Sequence, residues 1–234
     1  MIKQAGSIAY DFLEKLKKQQ EEREEEEKAA WEAMSESERQ AILDERERQT
    51  KEAEARARKQ EREDQIKKWR RQGVTPRYFK ATWENWIADT PEKEKALRNA
   101  KTAWNTNLLF SGNNGTGKTH LAMCLAKDGA TYRRLSDIFR EVRDDFDSET
   151  ELLNFYGECR LLVIDEIGRQ KFSPFEVNLF FEIIDRRWNN ILPTTIITNL
   201  TSSEFETLYS QAILDRLRPT KVNFDWESAR GGIQ

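Results

Sequence analysis

The chain has 234 residues, 35% charged and 37% hydrophobic, with a formal net charge of -3. That gives room for one ordinary domain plus an appendage, and no global basic field of the kind that announces nucleic acid. Two cysteines cannot build a four-ligand zinc site unaided, and no stretch nears the about 18 apolar residues of a membrane span.

Cys124 and Cys159 both lie in apolar contexts and are expected as buried thiols. With no signal-peptide pattern at the start, a cytoplasmic protein with no membrane role is expected.

Residues 1–34 are predicted to be a short helical, partner-binding region. Ile8, Phe12 and Leu16 recur every fourth position with Leu13 beside them, which makes one apolar stripe on a helix. The stripe has no obvious internal partner, and a short helix of this kind gains most stability by docking on something else. Glu21 to Lys28 is almost purely charged, and Trp31 and Met34 follow.

Residues 35–76 read as a long charged helix or linker. Ser35 followed by Glu38 fits a capping box, and the run to about Arg71 is rich in strong helix formers. Opposite charges recur at helical spacing, as in Glu54 with Arg58. Apolar residues are few (Ile42, Leu43, Ile66 and Trp69) and no heptad stripe persists. Gly73 is the predicted helix stop, and Pro76 prevents continuation.

Residues 77–234 carry the density of a normal core. An aromatic cluster comes first: Tyr78, Phe79, Trp83, Trp86 and Trp104. Thr90 then Pro91 reads as N-cap and first turn of a helix to about Ala103. Strands are predicted at 107–111, 131–135, 160–165, 194–198 and 221–224. Helices are predicted at 118–127, 136–146, 148–158, 174–189 and 203–216. Short apolar strands alternating with amphipathic helices imply an α/β, three-layer αβα sandwich around a mainly parallel sheet.

Between the first strand and its helix stands GNNGTGKT: Gly112, Asn113, Asn114, Gly115, Thr116, Gly117, Lys118 and Thr119. This meets the G-x-x-x-x-G-K-[ST] pattern in full and in the required strand–loop–helix setting. Its glycines permit a tight loop whose backbone N–H groups face phosphates, and the helix adds its positive end. Lys118 is placed to reach the β- and γ-phosphates of ATP, and Thr119 to offer a hydroxyl to Mg²⁺. His120 adjoins this set and is read as helix packing.

The strand LLVIDE ends in two carboxylates. Ligands of doubly wound sheets bind at the carboxyl ends of strands, so Asp165 is the candidate for the Mg²⁺ and Glu166 for polarising water. Asn199, after the strand TTIIT, is the candidate for orienting water or touching the γ-phosphate.

With these residues, DEIG at Asp165 to Gly168, DRR at Asp185 to Arg187, LDRLR at Leu214 to Arg218 and the closing FDWESAR, the chain resembles the DnaC-type replicative helicase loaders of the AAA+ superfamily, phage versions included. The IstB-like transposition helpers are close relatives. The resemblance runs from about Arg77 to Arg230.

It implies a P-loop ATPase with a reduced or absent lid, which agrees with how little chain follows the last strand. It implies that Arg216 is an arginine finger acting on a neighbouring subunit, Arg230 a second sensor arginine and Asn199 the first sensor. It places single-stranded DNA contacts near Ser173 and Phe175, although Pro174 between them departs from the family form. Phe175 packing against its own helix is the competing explanation.

The implied partners are a hexameric replicative helicase, single-stranded DNA and further copies of the chain, side by side in a spiral. The implied cofactors are ATP and Mg²⁺. A transposition helper that recruits a transposase, and a nucleotide-gated scaffold with negligible turnover, are the alternatives.

Overall fold

The computed structural model describes residues 2–144, 149–168 and 172–228, with side chains given except for residues 2–13 and 16. The Ile8, Phe12, Leu13 and Leu16 stripe and Arg230 therefore fall outside the described side chains. The chain divides into two compact units, residues 1–63 and 64–234. Among the described residues, no helix is long and apolar enough to cross a membrane.

The first unit is built from helix α1 (Ile2–Ala33) and most of α2 (Glu36–Arg71). The Ser35 capping box is formed as expected. The Ser35 N–H donates to Glu38 Oε2 at 2.9 Å, and the Glu38 N–H returns to Ser35 Oγ at 3.3 Å. Arg46 lies over the Trp31 ring at 5.9 Å. Glu52 with Arg56 and Glu54 with Arg58 pair one turn apart, at 3.5 and 3.7 Å. None of α2 is buried, which fits its lack of an apolar stripe.

In the second unit, the end of α2 closes as a paired-bond helix stop. The Val74 N–H reaches Trp69 O and the Gly73 N–H reaches Arg70 O. Gly73 is required twice over. Its φ is +94, and a Cβ there would stand 2.1 Å from Tyr132 O. The closeness arises because the turn pairs with the edge strand, Tyr132 N–H donating to Gln72 O at 2.8 Å.

A 3₁₀ turn follows at Pro76–Tyr78, then α3 (Pro91–Lys101) behind its Thr90 cap. The strands are β1 (Leu108–Gly112), β2 (Thr131–Arg134), β3 (Leu162–Ile167), β4 (Thr194–Thr198) and β5 (Thr220–Phe224). The helices between them are α4 (Lys118–Lys127), α5 (Leu135–Asp144), α6 (Glu149–Glu158), α7 (Pro174–Asn189), α8 (Ser202–Leu208) and α9 (Gln211–Leu217).

The sheet order is β2-β3-β4-β1-β5 and every pairing is parallel. Parallel strands need covered crossovers, so both faces are buried. Leu108, Phe110, Val163, Ile197 and Phe224 face one core with α3 and α4. Leu109, Leu162, Ile164 and Ile196 face the other core with α5 to α9. This is the expected three-layer sandwich.

Besides β3, which runs over Leu162–Ile167 where 160–165 was expected, the structure differs from expectation at the helix of 203–216 and at the cysteines. The single helix expected over 203–216 is broken between α8 and α9. Tyr209 turns extended, with ψ 145, because its ring stacks on Phe205 at 4.6 Å, and Ser210 then starts α9. Cys124 is buried, and burial pushes its thiol up to about 12, but Cys159 is only partly buried. The Cys159 sulfur accepts from Arg187 at 3.3 Å.

Arg187 is 1% exposed. Its guanidinium donates to Tyr156 O at 2.7 Å, Cys159 O at 2.8 Å, Thr194 Oγ1 at 2.8 Å and Pro193 O. It thus satisfies the end of α6 and the approaches to β3 and β4 from α7. Arg187→Met should leave those acceptors buried and unpaired, at a cost of about 3 kcal/mol. Urea unfolding should give a lower midpoint at unchanged slope; an unchanged midpoint would contradict this role.

Candidate nucleotide site

The loop after β1 lies at the carboxyl edge of the sheet. Lys118 is 5% exposed, and its ammonium donates to Gly112 O at 2.8 Å and Asn113 O at 2.6 Å. The Thr116 hydroxyl also donates to Asn113 O, at 2.9 Å.

β3 delivers Asp165 beside this loop. Asp165 Oδ2 accepts from Thr119 Oγ1 at 3.0 Å and from the Tyr132 hydroxyl at 2.8 Å, while Oδ1 accepts from the Glu166 N–H at 2.7 Å. Burial, reinforced by the Asp165 charge, pushes the Tyr132 phenol above its ordinary range, so it remains a donor at neutral pH.

The β3–β4 register shifts between Ile164 and Ile167. This bulge turns Glu166 out of the ladder with φ +60, an uncommon value for a residue other than glycine. Its carboxylate is half exposed and lies 3.4 Å from Arg134 Nε at the end of β2. The Glu166 charge pushes the Arg134 guanidinium up in turn.

Asn199 follows β4 at the same edge. One cavity of about 340 Å³ is lined by Arg77, Tyr78, residues 114–120, Asp165, Glu166 and Asn199. His120 both lines it and packs, its Nε2 lying 2.9 Å from Thr82 O.

These residues fit a nucleotide with a hard cation. A hydroxyl and a carboxylate oxygen sit side by side, and among the described residues no cluster of three or more His, Cys, Asp or Glu forms a metal cage. Mg²⁺ suits such a donor set, because it takes one or two protein ligands and fills the rest with phosphate and water.

Arg216 does not reach this cavity. It lies with Asn107, Pro193 and Thr194, at the opposite ends of β1 and β4. It pairs with Asp185 there and stands over the rings of Phe181 at 4.6 Å and Trp188 at 5.8 Å.

Ser173 is the N-cap of α7 in a full capping box with Glu176, and Pro174 occupies the first turn, where proline favours a helix start. Phe175 is 43% exposed. With Phe139, Arg143, Ser173 and Glu176 it lines a cavity of about 260 Å³.

Sequence reasoning had no means of finding Tyr132 and Arg134, whose relation to Asp165 and Glu166 needs the strand order. Nor did it find Arg77 and Tyr78 as lining residues.

A family model described as IstB-like ATP binding protein matches residues 13–230. The replicative helicase loader DnaC of Escherichia coli K12 is 31% identical over 182 residues, covering 70% of this chain and 74% of that one. The crystal structure of a DnaC helicase loader superposes with TM-score 0.56 at 21% identity, over 64% of this chain and 99% of that chain. A DnaI structure gives 0.54 at 20%, over 66% and 93%. The structural likenesses establish the fold.

The Tyr132 hydroxyl orients Asp165, so Tyr132→Phe should raise the Mg²⁺ concentration needed for tight ATP binding by about tenfold. Affinity for the nucleotide without metal should stay unchanged. A magnesium titration with the wild-type midpoint would refute the link.

Proposed function

The chain belongs to the IstB-like and DnaC-type family of AAA+ ATP-binding proteins, and from that premise we propose that it is an ATP-hydrolysing loader of a hexameric replicative helicase onto single-stranded DNA. The observation that carries the reading is a separation. Lys118, Thr119, Asp165, Glu166 and Asn199 share one cavity, whereas Arg216 stands at the far end of the same sheet. The site is then completed by a neighbour, and turnover follows assembly.

In this reading bound ATP with Mg²⁺ supplies the phosphoryl group that passes to water. The loop N–H groups and Lys118 hold the phosphates, and Thr119 and Asp165 hold the cation. Glu166 orients the attacking water and takes its proton as the new P–O bond forms and the β–γ bridge breaks. Asn199 positions the γ-phosphate. The neighbour's Arg216 neutralises charge that develops in the transfer, and Arg230 acts on its own subunit's nucleotide.

Phe175, exposed beside Arg143, is suited to stack on a base without reading sequence. The stripe of Ile8, Phe12, Leu13 and Leu16 grips the helicase, and hydrolysis releases it. The match to an IstB-like ATP binding protein model, with the resemblance to the transposition helpers, supports a second reading in which the same core serves a transposase. A transposase gene beside this one would support that second reading.

Arg216→Ala should bind ATP but hydrolyse it at least tenfold more slowly. Mixed with Glu166→Gln, it should recover activity at interfaces that pair an intact site with an intact arginine. A mixed-subunit assay without recovery would exclude action between subunits. Phe12→Asp with Leu16→Asp should abolish helicase capture while ATP affinity stays at the wild-type value; undiminished capture in a pull-down would remove the stripe from the interface.

A further inference from the structure

Two tryptophans outside the P-loop touch its backbone, and the nucleotide reading assigns them nothing. The indole N–H of Trp226 donates to Thr116 O at 3.0 Å, and that of Trp86 to Gly117 O at 3.4 Å. The two rings meet edge to face, 6.2 Å apart, and Trp226 also packs on Phe224 at 4.9 Å. Trp86 is buried against the first core. Each indole therefore has its apolar body fixed and its single donor aimed at the loop.

The consequence follows from the peptide unit. In a trans peptide the carbonyl of one residue and the N–H of the next point in opposite directions, and no cis peptide occurs among the described residues. Holding Thr116 O on the tryptophan side therefore turns the Gly117 N–H to the other side. Holding Gly117 O does the same for the Lys118 N–H. These are N–H groups of the loop that lines the nucleotide cavity.

Gly117 sits at φ +98, and glycine takes positive and negative φ about equally readily, so the residue itself gives the loop little preference for this orientation. Steric closeness adds to the constraint: a Cβ on Gly117 would stand 2.6 Å from the Trp86 indole nitrogen.

We propose that Trp86 and Trp226 are positioning residues that set the phosphate-facing N–H groups of Gly117 and Lys118 before nucleotide arrives. Trp226 carries the larger share. Its hydrogen bond is shorter, and Gly117 O is also held by the Leu121 N–H at 3.2 Å. The donors act through the loop and do not touch the phosphates. Two residues before Trp226, the β5 exit is itself tied to the same loop, the Asn113 N–H donating to Phe224 O at 3.1 Å.

The proposal rests on the loop binding nucleotide, and the test separates the two. MgADP affinity is measured by calorimetry on the full chain and on Trp86→Phe, Trp226→Phe and the double variant. No binding by the wild type would strike the nucleotide reading itself. With wild-type binding in place, Trp226→Phe should weaken MgADP about tenfold and Trp86→Phe about threefold, with the double variant weakest.

Ile183→Val, in the opposite core, serves as a control for stability lost without a change at the loop, and it should keep wild-type affinity. Equal affinity in the double variant would overturn the proposal, as would an equal loss of affinity in the control. Should Trp226→Phe fail to fold, benzothienylalanine at position 226 keeps the ring shape and lacks the N–H; it should reproduce the tenfold loss, and wild-type affinity there would overturn the proposal.

Discussion

Parallel pairing of β4 with both β3 and β1 brings the carboxyl ends of three strands to one edge. The P-loop, the Asp165–Glu166 pair and Asn199 lie far apart in sequence, and this edge is what joins them. At the other end of the strands the geometry is fixed by a cation. Arg187 enters from α7 and bonds the carbonyls that precede β3 and β4. Burial pushes its guanidinium pKa down, yet an arginine stays charged at neutral pH, so those carbonyls must supply the compensation. The sheet is thus clamped at its amino-terminal edge and open at the edge where the candidate nucleotide site lies.

Within that edge, the two neighbouring carboxylates are treated differently. Asp165 is buried, and both of its oxygens are committed to donors from α4, β2 and its own backbone. Glu166, one residue on, is half exposed and is turned out by a bulge toward Arg134. A fixed acid suits a cation, whose ligands must not move. A projecting acid suits a proton transfer, whose partner comes and goes. In a regular strand Glu166 would simply point to the face opposite Asp165; the bulge instead carries it out of the ladder.

Much of this was legible in the chain itself. β4, α4 and α7 fall at their predicted bounds, because each is a dense apolar run or an amphipathic segment with a clear start. The P-loop was legible from its spacing alone. β3 extends to Ile167, past the carboxylates where the apolar run stops, since ladder pairing rather than apolarity keeps it extended. The break at Tyr209 was not legible, because it depends on the ring finding Phe205 and Phe180. Tyr132, Arg134, Trp86 and Trp226 were hidden for the same reason. Their partners lie between 31 and 110 residues away in sequence or across a strand order that local pattern does not encode. Asp185, taken with its neighbours as part of a signature string, gained a physical role only when Arg216 was found beside it.

The placement of Arg216 at the end of the sheet opposite the P-loop has a geometric consequence for self-association. A two-fold dimer presents the same patch from both partners, which would require the arginine and the loop to share one face. They do not, so contacts that carried Arg216 to a neighbour's loop would be heterologous, each copy giving from one side and receiving on the other. A row built that way would have polarity, with one terminal loop that receives no arginine and one terminal arginine that meets no loop. A row that does not close on itself keeps those two unlike ends.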